Sequence, residues 1–305
     1  MKEGKIMEGS NLFYDQLPSG DEQLSFTYLE KKLREIIKIP TLDNDILRSL
    51  GFYTKDMKYN NAASIFADKN NMFGVDIVRF GNSINEILDR ETIYKNCILE
   101  QYDRALILYR KYYQYEVIGG ALRERRERLP ESAFREALAN ALVHRDFDVN
   151  AHIRIAMFKN KIEISSPGGL PSSIKKEDYL NGTISVLKNP IIGNIFFRLD
   201  LIETLGTGIR RINQAYRDYD IKPDYMIFDT SITVELPTTT VEYEITGEES
   251  DIVDALRGGR ILTCNEITDK TEYNKSKVLR LMKNLTDKKY VSVIGGGRST
   301  KYKLR

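Results

Sequence analysis

Apolar residues recur at helical spacing over residues 24–37 and 98–115 and alternate over Val75–Phe80, so the first 115 residues are expected to form a mixed α/β region. From residue 116 the signals change. Leu129-Pro130-Glu131-Ser132 opens a helix that the pattern carries through Val143. Two alternating runs, 153–158 and 161–165, meet at Lys159-Asn160 as a β-hairpin, and helices near 191–199 and 209–219 precede strands at 225–228 and 231–236. Helices interspersed with hairpin-linked strands predict a two-layer α/β sandwich over 116–237 and place the chain in the α+β class.

Residues 238–250 are polar and without a period, and read as a linker. Beyond them Ile252, Val253 and Leu256 form one apolar stripe, Thr263-Cys264-Asn265-Glu266 is a capping box, and Val278, Leu281, Met282 and Leu285 stand at i, i+3, i+4 and i+7. A hairpin around Gly295-Gly296-Gly297 completes, over 251–305, the order of a winged helix-turn-helix.

Charge divides the chain in the same place. From Lys270 to Arg305 eleven basic residues oppose only Glu272 and Asp287, which leaves nine net positive charges there and seven net negative charges before it, within an overall charge of +2. A basic end seeks a polyanion, or is simply a solvated face. On the first reading Lys275, Ser276, Lys277, Arg280 and Lys283 are candidates for a major groove, and Arg298, Lys301 and Lys303 for the phosphate backbone. Duplex DNA is then the partner, and a winged helix used only for dimerisation or protein contact is the alternative.

Composition narrows the rest. With 41% hydrophobic and 30% charged residues among 305, the sequence fits neither a disordered chain nor a membrane protein, and no apolar run reaches the ~18 residues of a spanning helix. The opening residues carry no apolar core of a signal peptide, so the cytoplasm is the expected compartment. Cys97, Cys264, His144 and His152 are too few and too scattered for a disulfide framework or a zinc finger. The tyrosines between Tyr109 and Tyr115 invite base stacking, but rings on a helix more often cover a neighbouring domain.

Chemistry concentrates on the helix that begins at Glu131. Phe134, Ala137, Leu138, Ala141 and Leu142 define its core face, and Ala133, Ala139 and Val143 extend apolar character around it. Against that background Glu136, Asn140 and His144 stand at i, i+4 and i+8 on one polar stripe. Polar groups on a buried helix need partners. A network with Arg135, Arg145 or backbone would supply them, and so would a ligand carrying a metal. Two glycine turns bear on that choice. Ser165-Ser166-Pro167-Gly168-Gly169 follows a strand, and Leu205-Gly206-Thr207-Gly208 precedes a helix whose first N–H groups suit phosphate oxygens. No Walker A sequence is present.

The runs Phe134 to Phe147, Ile162 to Pro171, Lys188-Asn189-Pro190-Ile191-Ile192 and Leu205-Gly206-Thr207-Gly208-Ile209 together resemble a family of bacterial and archaeal transcriptional regulators, often labelled divergent AAA proteins or RecG-like helicases. The middle domain of that family is similar to the Bergerat, or GHKL, ATP-binding fold of gyrase and histidine kinases. The resemblance implies ATP and Mg²⁺ as ligands, Glu136 as the base that activates water and Asn140 as the metal ligand. It further implies Gly168 and Gly169 as the adenine-side turn, Gly206, Thr207 and Gly208 as the phosphate-side turn, and a place for His144 in the same site. It departs from the pattern at Ser166, where such ATPases carry an Asp that bonds the adenine amino group. Gly9-Ser10 and Tyr14-Asp15 look like the remnant of the Schlafen/AlbA-type domain that usually precedes. The expected activity is nucleotide-responsive DNA-binding regulation, by a chain that could be a homodimer. Active Mg²⁺-dependent ATP hydrolysis on DNA and a non-catalytic interaction protein are the rival expectations.

Overall fold

In the computed structural model, residues 12–119, 122–171, 173–181, 186–202, 207–239, 247–288, 290–297 and 300–304 are described. They fall into two units, Met1–Thr240 and Val241–Arg305. Gly9-Ser10, Gly206 and Arg298 lie outside the described residues, as do residues 240–246 of the expected linker.

After a 3-10 turn at Tyr14–Gln16, the first unit begins with three helices, α1 (Thr27–Ile36), α2 (Asn44–Ser49) and α3 (Asn61–Phe66). Strands β1 (Val75–Phe80) and β2 (Ile87–Ile93), helix α4 (Ile98–Tyr113), and a separate hairpin of β3 (Gln114–Gly119) and β4 (Leu122–Glu127) follow. The remainder is α5 (Glu131–Val143), β5 (Ile153–Met157), β6 (Lys161–Pro167), α6 (Lys176–Leu180), α7 (Pro190–Arg198), α8 (Gly208–Ala215), β7 (Asp224–Ile227) and β8 (Ser231–Pro237).

Six strands form one mixed sheet in the order β2-β1-β5-β6-β8-β7. Among the described strands only β1 and β5 run parallel, with Val75 opposite Ile153. The domain boundary expected at 115 therefore runs through a single sheet, because strands from either side of it share one hydrogen-bond ladder. Alternation sorts the side chains. Val75, Ile77, Ile153, Ile155, Ile162, Ile164, Val234 and Leu236 enter the main core with α4 and α5. The other face carries polar pairs, among them Arg90 with Asp76 at 2.9 Å and Lys161 with both Glu163 and Glu235 at 2.7 Å. The tyrosines of α4 serve packing: Tyr109 stacks on Phe134 at 4.6 Å.

Asp15 pins the start of the chain to a helix far along it. Its Oδ2 accepts from the N–H groups of Ile191 and Ile192 at 2.7 and 3.2 Å, capping α7. Oδ1 is buried without a hydrogen-bond partner among the described residues, and burial outweighs the two N–H groups, raising the carboxyl to about 6. A group raised in the folded state favours folding at low pH and costs stability as pH climbs through its folded value. Stability should therefore fall by about 2 kcal/mol between roughly pH 4 and 6 on account of Asp15. In Asp15→Asn, which keeps a neutral acceptor for both N–H groups, denaturant midpoints across that window should lose this slope.

The second unit holds α9 (Gly247–Leu256), β9 (Leu262–Thr263), α10 (Cys264–Thr271), α11 (Lys275–Asp287), β10 (Val291–Ile294) and β11 (Lys301–Leu304). Helix α9 begins within the stretch read as linker. The capping box forms, Thr263 accepting from Glu266 N–H and Glu266 from Thr263 N–H. Asn274 caps α11 at Lys277 N–H, 2.9 Å, and Glu272, at φ 58°, closes α10. Ile252, Val253, Leu256, Ile267, Val278, Leu281, Met282, Leu285 and Val291 make a separate core, beside a three-stranded sheet β10-β11-β9. Lys288 reaches the buried carboxylate of Glu249 at 2.8 Å and ties α11 back to α9.

Candidate functional site

The expected stripe and the start of α8 come together. Asn140 Nδ2 donates to Glu136 Oε1 at 3.2 Å, and both residues are half-buried on α5. Gly208, the first residue of α8, sits directly over them: a side-chain carbon at Gly208 would stand 2.7 Å from Glu136 Oε1 and 3.1 Å from Asn140 Oδ1. Only a glycine lets α8 approach so closely. Thr207 precedes it and accepts from Arg211 Nε at 3.3 Å through Oγ1.

Burial raises Glu136 above the usual carboxylate range, while the positive charge of Arg211, the Asn140 bond and Arg135 oppose the shift. Arg211 is thus part of the site and escaped the sequence reading. It lies beside Arg210 on a polar face, one turn into α8, and no motif singles it out. Of the structural partners expected as an alternative, backbone reaches His144 through Val186, while the two arginines make their side-chain hydrogen bonds elsewhere. Arg135 donates to Tyr102 Oη at 3.3 Å, and Arg145 donates to the carbonyls of Phe73 and Ala151.

The glycine turn after β6 lies at the other end of the stripe. Gly168 adopts φ 98° and donates to Thr230 C=O at 2.8 Å. A side-chain carbon on Gly169 would press on the backbone of Asp229 and Phe228. His144 ends α5, about 6 Å along the axis from Asn140. Burial, with the charge of Lys188 adding to it, lowers its imidazole to about 4, so it is neutral at physiological pH. Ser166 is buried on the core face of β6 and donates to Ala141 C=O at 2.8 Å. Asn189 donates to Val143 C=O at 2.8 Å and Arg145 C=O at 2.9 Å, satisfying the end of α5 and seating α7 beside the turn.

On the second unit Lys275, Ser276, Arg280, Lys283, Lys301 and Lys303 are exposed, and Lys277 is half-buried. Lys277 pairs with Glu248 at 3.0 Å and lies 3.6 Å over the Tyr273 ring. Arg280 reaches the same glutamate at 3.5 Å.

Residues 150–236 match the family model described as "Putative ATP-dependent DNA helicase recG C-terminal". That match supports an ATPase-like domain. None of the curated proteins matches the sequence. Among solved structures the chain is similar to the DIP2311 protein from Corynebacterium diphtheriae, with a TM-score of 0.64 at 17% identity over 96% of this chain. The chain spans 64% of the length of that structure. The likeness is one of fold, a mixed sheet with eleven α-helices among the described residues here. No helix among the described residues is long and apolar enough to cross a membrane.

Proposed function

We propose that this chain is a cytoplasmic DNA-binding transcriptional regulator whose first unit binds ATP with Mg²⁺ in a Bergerat-like site and whose second unit is a winged helix-turn-helix. The observation that carries the nucleotide half is the convergence of Glu136 and Asn140, on one helix just before the ATPase-like match, with Gly208 from a second motif inside it. The residues fit the ligand. Asn140 commits its amide N–H to Glu136 and so holds its amide oxygen as the acceptor a cation would take. Among the described residues no group of three or more His, Cys, Asp or Glu could hold a metal, so Asn140 would share the cation with phosphate oxygens. When bound, Mg²⁺ supplies neutralisation of phosphate charge. The start of α8 presents Gly208 beside Thr207, with N–H groups suited to anions.

Asn140→Ala should remove Mg²⁺-dependent nucleotide binding while leaving the fold intact, since it takes away a metal ligand and leaves only a small void on a half-buried face. Titration calorimetry with millimolar ATP and Mg²⁺ checks this. Wild type without heat would make the site vestigial. One observation favours the non-catalytic rival: Ser166, at the position expected to bond adenine, is buried on the core face of β6 with its hydroxyl turned to Ala141 C=O.

A further inference from the structure

Two charged side chains meet at the Gly168 turn, and neither belongs to the stripe or to the start of α8. A side-chain carbon on Gly168 would stand 2.5 Å from Asp146 Cβ and 3.0 Å from Lys188 Nζ, so both residues crowd the same side of the turn. Each is fixed from its own backbone neighbourhood. Asp146 N–H donates to Pro167 C=O at 2.9 Å, and the residue after Lys188 is held by the two bonds of Asn189. Lys188 Nζ donates to Gly169 C=O at 2.7 Å. Asp146 Oδ1 accepts from Asp148 N–H at 3.1 Å, and Oδ2 has no hydrogen-bond partner among the described residues. Burial pushes the Lys188 ammonium down and Asp146 pulls it back up, so the two charges sense each other across the turn. They do not close into an ion pair.

A carboxylate acceptor beside an ammonium donor is complementary to a group that presents a donor beside an acceptor. The edge of adenine is such a group, with an exocyclic amine next to a ring nitrogen. Guanine presents a carbonyl where adenine has its amine, so the two purines ask opposite things of the same pair. We propose that Asp146 and Lys188 read the base, Asp146 accepting from the exocyclic amine of adenine and Lys188 donating to the ring nitrogen beside it. This rests on the nucleotide reading above and adds to it the two residues that select the base. It also returns to the turn the negative charge that Ser166 does not carry.

The test is titration calorimetry of the full chain with ATP, GTP and purine riboside triphosphate, which lacks the exocyclic amine, each with Mg²⁺. Wild type should bind ATP about tenfold more tightly than the analogue, the worth of one charge-assisted bond. In Asp146→Ala that ratio should fall to about one through weaker ATP binding. Asp146→Asn keeps an acceptor without the charge, should give an intermediate ratio, and decides the matter if the alanine variant does not fold. An unchanged ratio in the variants, or a wild-type preference for GTP, overturns the base assignment and leaves nucleotide binding standing. Failure of wild type to bind any of the three overturns both.

Discussion

Duplex DNA bound to the full chain should be released steeply by salt, its affinity falling roughly 10²- to 10³-fold between about 50 and 200 mM monovalent salt. Five exposed cations, Lys275, Arg280, Lys283, Lys301 and Lys303, face outward from α11 and the β10–β11 hairpin. Each phosphate contact releases close to one counterion, so about five contacts account for a fall of that size. Lys301→Ala and Lys303→Ala should weaken all sequences alike and lower the salt slope by about one each. Arg280→Ala should also relax sequence preference, since its place on α11 suits a base edge. Lys277 should matter least because Glu248 and Tyr273 already hold it. Fluorescence anisotropy across a salt series reads all of this. A full chain with no salt-dependent binding to mixed-sequence duplex at low ionic strength would leave the interaction-protein reading in front.

If the first unit hydrolyses ATP, Glu136→Gln should slow turnover about a hundredfold or more while nucleotide binding persists, because general-base assistance contributes roughly 10²–10⁴ in rate. Equal loss of binding and turnover would make Glu136 structural. The base must be a carboxylate, and burial works against that form while Arg211 supports it. Arg211→Met should therefore move the acidic limb of the rate profile toward higher pH, with little change in the rate on its plateau. A variant whose profile keeps its wild-type limb would remove Arg211 from the account of the base.

Where apolar periodicity was strong, the sequence was a faithful guide to structure. Strand Val75–Phe80 and helix Glu131–Val143 stand where the pattern put them, and Glu136 and Asn140 of the polar stripe lie against Gly208. Strand β2 escaped because Ile93 alone among its residues is buried, so an edge strand left no alternation to read. The β3–β4 hairpin escaped for a related reason: Leu-Arg-Glu-Arg-Arg-Glu carries no apolar period. Asp15, Arg211, Asp146 and Lys188 act through partners distant in sequence, and spacing cannot show such contacts. Asp15 accepts from N–H donors 176 and 177 residues away.

The parallel pairing of β1 with β5 sets the order in which this protein can come into being. Antiparallel β1 and β2 can form a hairpin as soon as they leave the ribosome, but the hydrogen-bonding side that β1 turns to β5 must wait for Ile153–Met157 to be made. At roughly 5–20 residues per second, tens of residues of synthesis separate the two events, a delay of several seconds. Meanwhile β1 offers an open edge with Val75 and Ile77 uncovered, and a nascent chain paused there has the makings of a chaperone client. Loop closure over such a span also slows refolding of the finished chain, so the first unit should be the slow step in recovery from denaturant and the short-range α9 to β11 unit the fast one.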